Sequence, residues 1–95
     1  YLALAEKVFD LYKTEAWSEG YANYNWFGLP GWTEPCAIID SYMIAVQLWM
    51  NTGNENYMDD AQKIYYNAFS HANRYTGSFG TDNCVGANEG EDKLY

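Results

Sequence analysis

Residues 34–69 read EPCAIIDSYMIAVQLWMNTGNENYMDDAQKIYYNAF, and this stretch decides the fold class. Its first half carries Ile38, Ile39, Tyr42, Met43, Ala45, Val46, Trp49 and Met50 around most of a helical circumference, with a narrow polar strip at Asp40, Gln47 and Asn51. The spacing predicts a helix over about 34–51 that needs neighbours on several sides. Thr33 is placed to cap it, with Glu34 and Pro35 in the first turn, where a carboxylate meets the helix dipole and proline's missing N–H costs nothing. Thr52-Gly53-Asn54 stops it, because glycine readily takes the left-handed conformation that ends a helix. Asn54 or Asn56 then caps a helix over about 56–73, with Asp59 and Asp60 near its first turn. Tyr57, Ala61, Ile64, Tyr65, Ala68 and Phe69 form its inner face, and the short connection makes the two helices an antiparallel hairpin.

On the N-terminal side, Tyr1, Leu4, Ala5, Val8, Leu11 and Tyr12 recur at spacings of three and four, which predicts a further helix over about 1–16 with that stripe as its inner face. Leu2 and Phe9 lie off the stripe, so this helix is expected to pack on more than one side. Residues 17–33, WSEGYANYNWFGLPGWT, show no sustained period and read as a loop. Six bulky aromatics in such a loop favour an ordered cover over a cavity or a neighbouring element. Residues 74–95, rich in Gly, Asn and Asp, read as loop and tail. The expected class is all-α, a single partial domain over 1–95 made of a helical hairpin plus one further helix.

A chain of 95 residues forms at most one domain, and a domain of this size buries only a modest share of its unfolded surface, which leaves a thin stability margin. The 48% hydrophobic and 19% aromatic content still argues for folding, since disordered chains are poor in these types. Thirteen acidic and five basic residues give a net charge of −8, which lacks the positive field that holds a phosphate backbone or an anionic membrane surface. No apolar run approaches the ~20 residues that span a bilayer. The expected partners therefore include neither nucleic acid nor membrane, and a neutral glycan is compatible with the charge. The helical pattern begins directly at Tyr1, which reads as a start inside a longer polypeptide, so the lack of a signal peptide carries no information on export.

Glu34-Pro35-Cys36 is the sharpest chemical feature. A carboxylate and a thiol two residues apart in a first helical turn can face one point, and a helix N-terminus lowers a thiol's pKa. They are zinc ligands if Cys84 and a fourth group converge on them, and otherwise a capping Glu beside a small buried Cys. Glu19, beside Gly20 in the aromatic loop, is a candidate general acid, because an apolar setting raises a carboxyl's pKa towards neutrality. Trp26 and Trp32 offer flat faces to sugar rings, and Asp82, in a Gly-flanked turn, is a polar candidate beside them. Asp40 on a largely apolar helix is expected to need a structural partner, and His71 reads as a core residue near the inner face of the last helix.

The stretch from Trp32 to Phe69 resembles the helical hairpin of β-L-arabinofuranosidase-like glycoside hydrolases, over about 40% of the chain. The residues that carry the resemblance are Glu34 and Cys36 at a helix start, Thr52, Gly53 and Tyr57 at the turn, and Ala61, Tyr66 and Asn67 in the following helix. It implies a piece of an (α/α) toroid of the six-hairpin glycosidase kind, a carbohydrate substrate, and a zinc site to which Glu34 and Cys36 contribute. It also implies an upstream glutamate as acid/base of a retaining mechanism, for which Glu19 stands as the candidate. The family's adjacent pair of later cysteines, which supplies further thiolates and the nucleophile, has no counterpart here beyond Cys84. The expected function is thus a segment of a glycoside hydrolase acting on plant or host glycans, inactive alone, whose natural partner is the rest of the parent polypeptide. Isolated, it is expected to leave apolar sides of the 34–51 helix uncovered unless it forms a homo-oligomer.

Two readings of other classes stand beside it. Trp49, Gly53, Tyr57 and Ala61 echo a tetratricopeptide-type repeat, as in an interaction module, although no second copy occurs. A small non-catalytic glycan-binding domain is the other, and it requires a Cys36–Cys84 disulfide.

Overall fold

The computed structural model of the chain describes residues 1–26, 29–33 and 35–72, and of 25–26 and 29–33 the backbone alone. The class is all-α. Helix α1 spans Leu2–Glu15, α2 spans Pro35–Thr52 and α3 spans Glu55–Asn67, followed by a single 3-10 turn over Phe69–His71. Strands β1, Tyr24–Trp26, and β2, Leu29–Thr33, form a small antiparallel hairpin between α1 and α2. The expected loop over 17–33 is therefore corrected at its second half. Tyr24 pairs with Thr33 and Trp26 with Leu29, so β2 takes two residues more than β1 between the same two pairings. Pro30 and Gly31 fall in that irregular stretch, where a missing N–H and an absent side chain fit a bulge better than a regular ladder.

The α2–α3 hairpin is the main helix interface. Ile38 and Ile64 are fully buried between the two helices and pack with Ala22, Ala68 and Ala72; Ala45, Leu48 and Ala61 form a second cluster with Phe9. Trp17 and Tyr42 touch both clusters and join them into one core. Each fully buried aliphatic side chain of this size stabilises the fold by about 1.5–3 kcal/mol. Gly53 ends α2 at φ 72°, and the Asn54 side chain accepts from the Asn56 N–H to cap α3. A Cβ at Gly53 would meet nothing within 4 Å, so Gly53→Ala isolates the backbone term. It should cost about 1 kcal/mol in urea unfolding, and an unchanged midpoint would contradict the role of this residue.

Five sequence expectations change here. The last helix stops at Asn67 rather than near 73, because the backbone at Ala68 departs from helical geometry (φ −124°) before the 3-10 turn. His71 is consequently exposed and is not a core residue. The largest change concerns α1: Tyr1, Leu4, Val8 and Leu11 face solvent, with Leu4 62% exposed, whereas Phe9 is fully buried. The chain buries the face through Phe9 because two polar links to α3 flank it. Tyr57 donates to Glu6 Oε1 at 2.8 Å one turn before Phe9, and Lys13 Nζ bonds Asp60 Oδ2 at 2.8 Å one turn after it. Lys13 also lies 5.9 Å from the ring centroids of both Phe9 and Trp17. Asp60, expected only as an acidic residue near the first turn of its helix, is thus a buried ion-pair member, and Asp40, expected to be paired within a buried helix, is exposed.

Candidate functional site

The first part of the aromatic loop folds down onto the helices. Trp17 and Asn23 form an antiparallel bridge, and the Ser18 N–H donates to the Ala22 carbonyl, closing a turn in which Tyr21 takes a positive φ of 65°. Trp17 packs perpendicular to Phe9 and at a steep angle to Tyr21, and its indole N–H donates to Ser41 Oγ of α2. Ser41 in turn donates to Asn23 Oδ1 at 2.6 Å, while the Asn23 amide donates to the Tyr24 carbonyl. Ser41 and Asn23 are both buried, so this chain of bonds holds the loop against α2 where water cannot compete.

Of the residues singled out in the sequence, Glu19 stands exposed at the tip of this turn. Cys36 is exposed in the first turn of α2, which corrects the alternative that made it a small buried residue. Trp26 lies in β1 and Trp32 in β2, described by backbone alone. Glu34, Asp82 and Cys84 lie outside the described residues, so of the expected zinc ligands Cys36 alone is placed. Among the described residues no three His, Cys, Asp or Glu side chains converge on one point.

What the described structure does assemble is an aromatic surface on α3. Tyr65 stacks on Phe69 with ring centroids 5.5 Å apart, and Tyr42 of α2 leans on both rings at 6.2 and 5.9 Å. Tyr66 stands perpendicular to Tyr65 at 5.1 Å and is 66% exposed. Beside it opens a cleft of about 240 Å³ lined by Asp59, Gln62, Lys63, Tyr66 and Asn67. The spacing follows from the helical period, which brings residues three, four and seven apart onto one strip. Lys63 is drawn back towards the loop, with Nζ 5.8 Å from the Tyr21 ring centroid, and the Asn67 amide donates to the Lys63 carbonyl. The cleft therefore offers one exposed aromatic ring, amide and carboxylate acceptors, and a cation held to one side. Of this group Asp59 stood out in the sequence as an acid near the helix's first turn, and Tyr66 and Asn67 as part of a family-like pattern; the 59, 62, 63, 66, 67 spacing was the signal for the rest.

A second concavity, about 450 Å³ in volume, runs between α1 and α2 on the other side of the hairpin. Leu2, Ala5 and Tyr12 form one wall, and Met43, Ile44 and Leu48 the other. No helix among the described residues is long and apolar enough to cross a membrane.

The linkage of α1 to α3 has a measurable alkaline signature. Burial pushes the Tyr57 hydroxyl up from its ordinary 10 to about 12, and its hydrogen bond to Glu6 and the charges of Glu6, Asp10 and Asp60 push it the same way. An acid whose folded pKa is raised holds its proton more tightly in the folded state, so its contribution to stability is complete below pH 10 and falls as pH rises towards about 12. The unfolding free energy of the wild type should therefore drop more steeply over this window than that of Tyr57→Phe, and parallel profiles would rule the linkage out.

Compared with protein-family models, with curated proteins and with solved structures, the chain matches none.

Proposed function

We propose that this chain is a glycan-handling helical segment of a glycoside hydrolase, inactive in isolation, with the exposed aromatic surface and polar cleft of α3 as its contact with carbohydrate. The observation that carries this reading is the pairing of Tyr66, 66% exposed, with the amides and carboxylate of Gln62, Asn67 and Asp59 in one cleft. Sugars present an apolar C–H face and a ring of hydroxyls, and an exposed aromatic next to planar acceptors and donors matches both. The net charge of −8 excludes anionic ligands more than neutral ones. The resemblance of residues 32–69 to β-L-arabinofuranosidase-like enzymes points to the same substrate class.

In the parent protein, Glu34 and Cys36 at the start of α2 would contribute to a zinc site, with Cys84 and Asp82 as further candidates, and Glu19 would be the nearest acid/base candidate. Metal content and thiol titration of protein purified without chelator test that part: stoichiometric zinc with protected thiols supports it, and no metal with two reactive thiols sinks it. The carbohydrate contact is tested by NMR titration with neutral oligosaccharides, including arabinofuranosides. Shifts should concentrate at residues 59–67, and Tyr66→Ala should weaken binding at least tenfold, in line with the loss of one stacked ring. Shifts scattered over the chain, or binding untouched by Tyr66→Ala, would overturn the reading.

A further inference from the structure

We infer that the trough between α1 and α2 is a docking site for a cationic amphipathic helix. This goes beyond the carbohydrate reading and uses the opposite side of the hairpin. The trough is lined from Leu2 to Tyr12 on α1 and from Asp40 to Asn51 on α2. At 1.5 Å per residue these walls run ~15 Å, or about three helical turns. A groove walled by the side-chain ridges of two neighbouring helices is the shape that accepts one stripe of a third helix, inserted at every third and fourth residue.

The shoulders of the trough are apolar as well. Val8 follows the Ala5 and Tyr12 wall around the circumference of α1, with Leu4 and Leu11 beyond it, all exposed; on α2, Met43 is 55% and Met50 65% exposed. Contiguous apolar surface of this kind marks an interaction face in a soluble protein, and methionine side chains adapt to the shape of what they meet. Nothing about burial explains the outward stripe on α1, since the core takes the Phe9 face instead.

Charge selects the occupant. Among the residues lining the trough, Asp40 alone carries a formal charge, with Gln47 and Asn51 as the remaining polar groups. The described lysines lie elsewhere: Lys13 is bonded to Asp60, Lys63 sits by Tyr21, and Lys7 is not part of the lining. On a chain of net charge −8 the trough thus carries one carboxylate and no cationic side chain among its lining residues. An incoming helix with lysine or arginine beside its apolar stripe meets attraction on approach and a partner in Asp40. A second copy of this chain would bring another −8 and is disfavoured by the same field.

The test uses the 95-residue chain and three fluorescent helical peptides with the same Leu stripe, one flanked by Lys, one by Glu, and one with the Lys-flanked composition scrambled to remove the stripe. The Lys-flanked peptide should bind at least tenfold more tightly than either control, with a clear loss of affinity as salt rises. NMR shifts should fall on 2–12 and 40–51. Met43→Glu and Asp40→Lys, both at exposed positions that leave the fold intact, should each weaken it at least tenfold. Equal binding of the Glu-flanked peptide, or indifference to both substitutions, overturns the proposal. So does a dimer in light scattering that Met43→Glu dissociates, since the occupant would then be a second copy.

Discussion

Phe9→Ala is expected to destabilise the protein by about 3–5 kcal/mol, the range for removing a fully buried aromatic ring. Phe9 is completely buried where α1, α2 and α3 meet, packing perpendicular to Trp17 at 5.5 Å and steeply against Tyr57 at 5.8 Å, with Ala45, Leu48 and Ala61 around it. The neighbours cannot close the hole, because the ring is clamped between the Glu6···Tyr57 and Lys13···Asp60 links. In a domain this small such a loss is comparable with the whole stability. Urea unfolding by circular dichroism should show the variant largely unfolded or with its midpoint moved far down. The contrast is Leu4→Ala or Leu11→Ala on the exposed stripe, which should shift stability by no more than about 0.5 kcal/mol. A severe loss from either leucine with a mild one from Phe9 would mean that α1 buries its other face.

Ser41→Ala should cost about 2 kcal/mol although it removes one oxygen. The hydroxyl accepts from the Trp17 indole at 3.4 Å and donates to Asn23 Oδ1 at 2.6 Å, and both Ser41 and Asn23 are buried. Deleting it strands the buried amide oxygen of Asn23 and takes the partner from the half-buried Trp17 indole N–H, and unsatisfied buried groups cost more than a hydrogen bond contributes. Asn23→Ala cuts the same network, so the double variant should lose clearly less than the sum of the two single losses. Additive losses would show that the loop is held by packing alone. The consequence for function is local: with the network broken, Tyr21 and Lys63 lose their fixed relation, and the cleft beside Tyr66 loses one of its edges.

The two concave surfaces divide the molecule by chemistry. The α3 side carries rings and amides on a polar strip, and the α1–α2 side carries an apolar trough with one carboxylate on its rim. Cys36 lines neither of them, so metal content and the two binding tests report on separate questions.

The hairpin was legible in the sequence because its signals are local. Gly53 at a positive φ, the Asn54 cap, and the apolar density from Ile38 to Met50 act within a few residues of themselves, and their energies do not wait for the rest of the chain. Helix α1 was legible as a helix for the same reason, and its orientation was not. It has apolar residues on two faces, and periodicity cannot choose between them; the choice rests on Tyr57 and Asp60, some 50 positions away, which give Glu6 and Lys13 partners only when Phe9 points inward. The β-hairpin within 17–33 escaped because its strands are short and interrupted by Pro30 and Gly31, so no alternation of apolar and polar residues survives. The cleft of α3 was written in the helical spacing of 59–67, but its meaning depends on Tyr21 drawing Lys63 aside and on Tyr65 holding Tyr66 upright. Sequence by itself therefore determined which segments are helices and where α2 turns into α3, since those are contests between neighbours along the chain. Tertiary structure alone decided which faces are buried and which groups meet, because a face is buried only when another element supplies partners for every polar group it carries.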